Sequence, residues 1–163
     1  ILKMLDIAAI HVTHDWNEAT YMADSMAFMN EGQIIRTGTI EEILANPQYS
    51  IVADLIGMET IWFPEFFEEN GILFFETPWG RKEANLANQN SIAALIRPEN
   101  VHISRDGIQA EVLTKISTVG EWILKCRVTP DFIVAVKTTN NYLTGDRISL
   151  QLDLESIEML EIH

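Results

Sequence analysis

The sequence has little cysteine and little positive charge. Cys126 is the single cysteine among 163 residues. No internal disulfide can therefore form, which fits a reducing compartment. Lys and Arg number 11, against 24 Asp and Glu. The chain has no basic stripe of the kind that a phosphate backbone requires, and we expect no nucleic-acid partner.

Long apolar runs are also missing. No segment is apolar over the length needed to span a bilayer, and no charged segment followed by an apolar one opens the chain. The first residue is Ile1 rather than Met, inside the pattern of a helix end at Leu2–Leu5. We therefore expect an excerpt of a longer sequence, holding one small domain and a piece of another.

The first 57 residues combine strand and helix signals. An apolar, β-branched run over residues 7–13 predicts a buried strand. Asp15 predicts the N-cap of a helix that runs to Ala23, with Glu18 completing a capping box. Thr39 predicts a second capping box, and Gly57 predicts the C-terminal cap of a last helix. Between these caps, residues 25–29 and 33–36 are predicted to form the two strands of a hairpin. Residues 40–45 and 50–56 are predicted to form helices.

His14 lies where the predicted strand ends and the first helix begins. Open α/β sheets bind their ligands at the carboxyl ends of the strands. An imidazole there can donate to an anionic oxygen, whereas for a histidine judged in isolation a capping or packing role is the favoured interpretation. We interpret His11, two residues earlier, as structural, and Asp15 as a cap.

Three consecutive segments resemble the end of the nucleotide-binding domain of ABC transporters. They are Val12-Thr13-His14-Asp15 with Glu18-Ala19; Ala23-Asp24 through Gly32 to Ile34; and Gly38-Thr39, Asn46-Pro47 and Val52 to Gly57. The third segment is similar to the one by which the chain leaves the nucleotide-binding domain in importers of the sugar, polyamine and oxyanion type. The resemblance implies that His14 is the switch histidine, which contacts the γ-phosphate of ATP.

The same resemblance implies cofactors and partners for the full-length subunit. These are ATP and Mg²⁺, a second copy of the subunit in a homodimer, and transmembrane permease subunits that hold it at the cytoplasmic face of the membrane. No G-x-x-x-x-G-K-[ST] phosphate loop occurs in these 163 residues. We therefore expect this fragment alone to bind no cofactor tightly, to hydrolyse no ATP and to hold no metal.

The pattern changes after Gly57 to short alternating strands separated by turns, which is typical of a small barrel or sandwich. The predicted fold is thus an α/β fragment, the end of a P-loop NTPase nucleotide-binding domain, over residues 1–57, followed by an all-β small barrel over residues 58–163. The predicted strands are Ile61–Phe67, Ile72–Glu76, Lys82–Leu86, Ser91–Ile96, Gly107–Val119, Glu121–Val128, Phe132–Lys137, Arg147–Leu152 and Ile157–Leu160.

Residues 95–160 resemble the TOBE (transport-associated OB) domain of these transporters, which is related to Mop modules. Arg97-Pro98-Glu99-Asn100-Val101 and the turn Gly145-Asp146 carry the resemblance. It implies a role in dimerisation or in regulation by a bound oxyanion. The residue types that could donate to such an anion are Ser104, Arg105, Lys115, Ser117 and Thr118. A polar surface turn is the alternative interpretation of these residues.

Two further groups of residues have alternative interpretations. Arg97 with Glu99 fits a ligand clamp or a local ion pair. The aromatic residues around Trp62, Trp79 and Trp122 fit a binding face, but a barrel core or a dimer contact suits a small β-domain better.

Three functions follow from the sequence. The first is the C-terminal part of the ATP-binding subunit of an ABC importer, with molybdate or tungstate as the favoured cargo. The second is an oxyanion-sensing regulatory module without catalysis. The third is a structural dimerisation domain.

Overall fold

A computed structural model describes residues 8–57, 60–84 and 92–162. They divide into two compact units between Gln48 and Tyr49. The predicted helix end at Leu2–Leu5 and the ends of two predicted strands, Leu86 and Ser91, lie outside the described residues.

The first unit contains a helix, a hairpin and a second helix: α1 (Trp16–Met22), β1 (Met26–Asn30), β2 (Gln33–Gly38) and α2 (Ile40–Ala45). β1 and β2 pair antiparallel. Glu31 and Gly32 join them with φ of 46° and 81°, the two positive values that a tight hairpin turn with the right twist requires. The predicted hairpin is confirmed, as are both helices to within a residue or two.

Helix α2 is fixed at both ends. Thr39 Oγ1 accepts from the Glu42 N–H at 3.3 Å, and Glu42 Oε2 accepts from the Thr39 N–H at 2.9 Å. The predicted capping box is therefore complete. At the other end, Arg36 Nη2 donates to the Asn46 carbonyl at 3.0 Å, satisfying a carbonyl that the helix leaves unpaired. Ile43, on the inner face, is fully buried.

The predicted strand over residues 7–13 is wrong for the residues that the structure describes. Residues 8–13 have no strand pairing. Ile10 and Val12 are 97% and 89% exposed. A buried strand of this type needs a neighbouring strand and covering helices, and among the described residues nothing pairs with this segment. The parallel sheet of an α/β domain is accordingly not found in the described part of the chain.

The second unit is almost entirely β-structure. It begins with α3 (Ser50–Leu55). Ala53 of α3 packs with Ala93, Leu95 and Leu160, so this helix is part of the second compact unit. The described strands are β3 (Ile61–Trp62), β4 (Phe66–Glu69), β5 (Ile72–Thr77), β6 (Gly80–Ala84), β7 (Ile92–Leu95), β8 (Val101–Ser117), β9 (Trp122–Thr129), β10 (Phe132–Thr138), β11 (Arg147–Leu152) and β12 (Glu158–Glu161).

These strands form three antiparallel sheets, with orders β10-β9-β8-β11, β12-β7-β3 and β4-β5-β6. Short 3₁₀ turns at Pro98–Asn100 and Leu154–Ser156 precede β8 and β12. One predicted strand, Ile61–Phe67, is split into β3 and β4 around Pro64, which has no N–H to give to a ladder. The sheets are consistent with the predicted all-β small barrel.

Strand β8 contains a large irregularity opposite β11. Ser149 pairs with Gln109, but the next residue, Leu150, pairs with Ile103. Residues 104–108 therefore form a bulge with no partner in this register. At Gly107 the backbone of the bulge lies close to β11. A Cβ atom added at this residue would lie 2.4 Å from the Leu150 carbonyl oxygen.

One hydrophobic core joins the sheets, with Phe75, Ile96, Leu124, Val136 and Leu150 among its fully buried members. Aromatic rings line part of it. The Trp62 ring packs edge-on against Phe75 and Phe132, with centroids 6.1 and 5.2 Å away. The core interpretation of these aromatic residues is confirmed. Cys126 of β9 is also fully buried, and this burial raises the pKa of its thiol to about 11.

Thr60 is buried, with 4% of its surface exposed, and it connects β3 to β10 by hydrogen bonds. Its Oγ1 accepts from the Ala135 N–H at 2.9 Å, and its carbonyl accepts from the Ile96 N–H. We expect Thr60→Val to lower the free energy of unfolding by about 1–3 kcal/mol, because the buried Ala135 N–H loses its acceptor. Urea denaturation measures this. Thr60→Ser keeps the acceptor, and an equal loss in both variants would contradict the assignment.

Candidate functional site around His14

The residues around His14 form a closed turn into helix α1. The Asp15 N–H donates to Thr13 Oγ1 at 3.0 Å. Asp15 Oδ1 in turn accepts from the Glu18 N–H at 3.1 Å, and the Asp15 carbonyl accepts from the Ala19 N–H at 3.0 Å. Asp15 is thus the N-cap, as predicted. The helix itself is anchored by Trp16, whose ring packs against Phe28 of β1 with centroids 6.2 Å apart.

Only half of the predicted capping box at α1 is present. The Asp15 N–H, which Glu18 was expected to accept from, is already bonded to Thr13. The Glu18 carboxylate instead accepts from the Thr13 hydroxyl and lies 3.3 Å from His11 Nε2. The hydrogen bond from Thr13, and then that from His11, lower the pKa of Glu18 below its ordinary value.

His14 lies between Thr13 and the N-cap residue Asp15 in this turn. Its side chain is exposed, while the side chains of Thr13, Asp15 and Glu18 are bonded to one another or to backbone N–H groups. An exposed imidazole in a turn that is fixed on both sides can donate a hydrogen bond to an incoming oxygen. This chemistry fits a phosphate oxygen.

The five candidate anion donors do not converge. Ser104 and Arg105 lie in the bulge before Gln109, whereas Lys115 and Ser117 lie near the other end of β8. Lys115 lies six positions after Gln109 along β8, which is about 20 Å at the usual rise. One small anion cannot contact both groups within this chain.

Several of these donors also have partners. Lys115 Nζ donates to Asn141 Oδ1 at 2.8 Å and lies 4.7 Å from the centre of the Trp122 ring. Thr118 Oγ1 donates to the Glu121 carbonyl at 3.1 Å. Ser104 Oγ accepts from the Asp106 N–H at 3.4 Å. An anion-binding role for them stays a prediction.

Arg97 pairs with a residue that the sequence did not single out. Its Nε and Nη2 donate to the two carboxylate oxygens of Glu158, the second at 3.0 Å. Glu158 is the main cause of the raised pKa of Arg97, and Glu99 contributes least. The bidentate pair joins the end of β7 to β12, so this arginine has a structural partner across the sheet in addition to its electrostatic interaction with Glu99. No local spacing could have revealed a partner 61 residues away.

Two open clefts lie on the second unit, with volumes of about 360 and 350 Å³. Neither is lined by any of the five candidate anion donors. Within the described ranges, no group of three or more His, Cys, Asp or Glu side chains could hold a metal ion. No described helix combines the length and apolar character that crossing a membrane needs.

Comparison with known proteins gives relatives along nearly the whole chain, although no family model matches it. The chain is 28% identical over 162 residues to the spermidine/putrescine import ATP-binding protein PotA of Acetivibrio thermocellus, covering 98% of this chain and 46% of the relative. It is 32% identical over 164 residues to PotA of Mycoplasma mycoides, covering 90% and 43%. For Mycoplasma capricolum PotA the identity is 33%, with 74% and 39% covered.

The chain thus spans less than half the length of each of these relatives. Their names give no support to the expected preference for molybdate or tungstate, and point instead to polyamine import. Over most of its length the chain is similar to import ATP-binding proteins, which supports its resemblance to the ATP-binding subunits of ABC importers.

Proposed function

We propose that this chain is the C-terminal part of the ATP-binding subunit of an ABC importer. The observation that carries the proposal is the similarity to import ATP-binding proteins over 98% of the chain. In this proposal, residues 1–57 complete a nucleotide-binding domain and residues 58–163 form a β-domain for dimerisation or regulation. The partners are a second copy of the subunit and the permease subunits that hold both copies at the cytoplasmic face of the membrane.

The part of the chemistry that this chain supplies is the imidazole of His14. Phosphoryl transfer to water is catalysed mostly by fixed donors around the transferred group rather than by covalent steps. The turn around His14 is held by four hydrogen bonds of Thr13, Asp15 and Glu18, and the ring is exposed. The exposure of the ring and these hydrogen bonds support the proposal that His14 donates to a γ-phosphate oxygen of ATP.

The cargo in this proposal is a polyamine. The similar proteins carry the name of spermidine/putrescine importers in several organisms. Molybdate and tungstate, which the sequence favoured, lose their main argument because the candidate anion donors are divided between two ends of β8.

Transport by the assembled importer tests the proposal. The full-length subunit and its permease partners are placed in vesicles, and uptake of labelled spermidine, putrescine and molybdate is measured with ATP and with a non-hydrolysable analogue. We expect uptake of polyamine only, and only with ATP. Uptake of molybdate instead would overturn the cargo, and the absence of both uptake and ATP hydrolysis would overturn the function.

A further inference from the structure

Glu18 contacts both sides of the His14 turn: its N–H makes the helix-capping bond to Asp15, and its carboxylate contacts Thr13 and His11, which capping does not require. We propose that Glu18 is the positioning residue for His14. Its carboxylate contacts the segment before His14, and its backbone N–H donates to the residue after it. We call these contacts together the Glu18 clasp. This inference rests on the proposed function for its consequence in ATP hydrolysis. The contacts themselves are independent of that function.

Three contacts of Glu18 surround His14 in the sequence. The Glu18 carboxylate accepts from the Thr13 hydroxyl and lies 3.3 Å from His11 Nε2, both before His14. The Glu18 N–H donates to Asp15 Oδ1, directly after it. His14 is thus the tip of a loop whose two sides converge on one residue, and rotation of either side is restrained.

Burial does not hold this loop in place. Residues 8–12, 14 and 15 are exposed, and the side chains of His11 and Glu18 are 48% and 47% exposed. Without apolar packing, the position of an exposed segment depends on its hydrogen bonds. The Glu18 clasp supplies the contacts that cross from α1 back to residues 11–13.

The charge state of Glu18 favours the clasp. The pKa of its carboxyl group is lowered by the Thr13 hydroxyl first and by His11 next, and the neighbouring Asp15 opposes this only weakly. The carboxylate is therefore ionised at neutral pH, and hydrogen bonds to a charged acceptor are stronger than neutral ones. The clasp is lost only as the pH falls through the lowered pKa of Glu18.

Kinetics of the full-length subunit in its transporter test the inference. We expect Glu18→Ala to lower kcat for ATP hydrolysis about tenfold, because a donor displaced by a fraction of an ångström stabilises the transition state less. We expect KM for ATP to stay nearly constant. Thr13→Val should lower kcat as well, and Thr13→Ser, which keeps the hydroxyl, should retain more activity. Glu41→Ala, an exposed glutamate in the first turn of α2, is the matched control and should leave kcat unchanged.

A double-mutant cycle separates positioning from general stability. If Glu18 acts through His14, then Glu18→Ala has no further effect on kcat in a His14→Ala subunit. Additive losses, or full activity of Glu18→Ala beside an inactive His14→Ala, would overturn the positioning role and leave the proposed function intact. Full activity of His14→Ala would instead overturn the assignment of His14 as the phosphate donor, and absence of ATP hydrolysis in the unchanged subunit would overturn the proposed function.

Histidine NMR of this chain provides a readout that needs no ATP. The Nε2 resonance of His11 should shift in Glu18→Gln, because the charged partner 3.3 Å away is lost, and the His14 ring should sample more than one environment. His102 on β8 is the internal control and should not change. An unchanged His11 resonance would overturn the clasp whatever the kinetics show.

Discussion

Replacing His14 with alanine in the full-length subunit is expected to lower kcat for ATP hydrolysis about 100-fold, the usual cost of removing one fixed donor from a transition state. The physical reason is the exposed ring at the tip of a turn whose other side chains are already bonded. KM for ATP should change little, since one hydrogen-bond donor among many adds little to the binding of a highly charged substrate. Steady-state kinetics across a range of ATP concentrations measure both quantities.

Two further variants sharpen that result. His14→Gln keeps a side-chain N–H donor and should retain more activity than His14→Ala. His102→Ala removes an exposed histidine of the other unit and should have wild-type kinetics. Equal kcat values for wild type and His14→Ala would show that His14 does not contact the transferred phosphate.

The largest expected loss of stability comes from Gly107→Ala. A Cβ at this position would lie 2.4, 2.5 and 2.8 Å from the O, C and N atoms of Leu150. All three are backbone atoms of a strand in the core, so no side-chain rotation relieves the overlap. The bulge and β11 have to separate, and we expect a loss of about 3 kcal/mol in the free energy of unfolding, the upper range for overpacked sites.

Denaturation followed by tryptophan fluorescence measures this loss. Trp79 is a local reporter, because its Nε1 donates to the Leu150 carbonyl at 2.9 Å. Gly120→Ala is the matched control: its φ is +81° but no atom lies within 4 Å of the added Cβ. It should cost only about 1 kcal/mol from backbone conformation. Equal losses would mean that conformation rather than space decides the effect at Gly107.

Local sequence patterns were sufficient for the secondary structure. The Thr39 and Glu42 pair predicted a capping box that is complete, and Gly32 and Gly71 marked hairpin turns with positive φ. β11 is found over the predicted residues, Arg147–Leu152. Such features depend on residues a few positions apart, so the sequence contains all the information that they need.

Long-range pairing was beyond these patterns. The bulge before Gln109 is visible only in the register against β11. The bidentate pair of Arg97 with Glu158, 61 residues away, was not predicted. The apolar, β-branched run over residues 7–13 predicted a strand, yet a strand also requires pairing partners that the described residues do not provide.

The candidate site was predicted in part. His14 was singled out from its place before a cap, and the structure places it on an exposed turn. The carboxylate of Glu18 was assigned to the wrong N–H, because Thr13 was not considered as a competing acceptor. A threonine two residues before an N-cap is the signal that could have revealed this arrangement.

Because the thiol of Cys126 is buried, its rate of alkylation reports how often the β-rich unit opens. It is the single cysteine of the chain, it is fully shielded from solvent, and with a pKa of about 11 it is protonated at neutral pH. An alkylating reagent reacts only with an accessible thiolate. The rate of alkylation in native buffer therefore measures how often β9 separates from the core. Each molecule takes up one label.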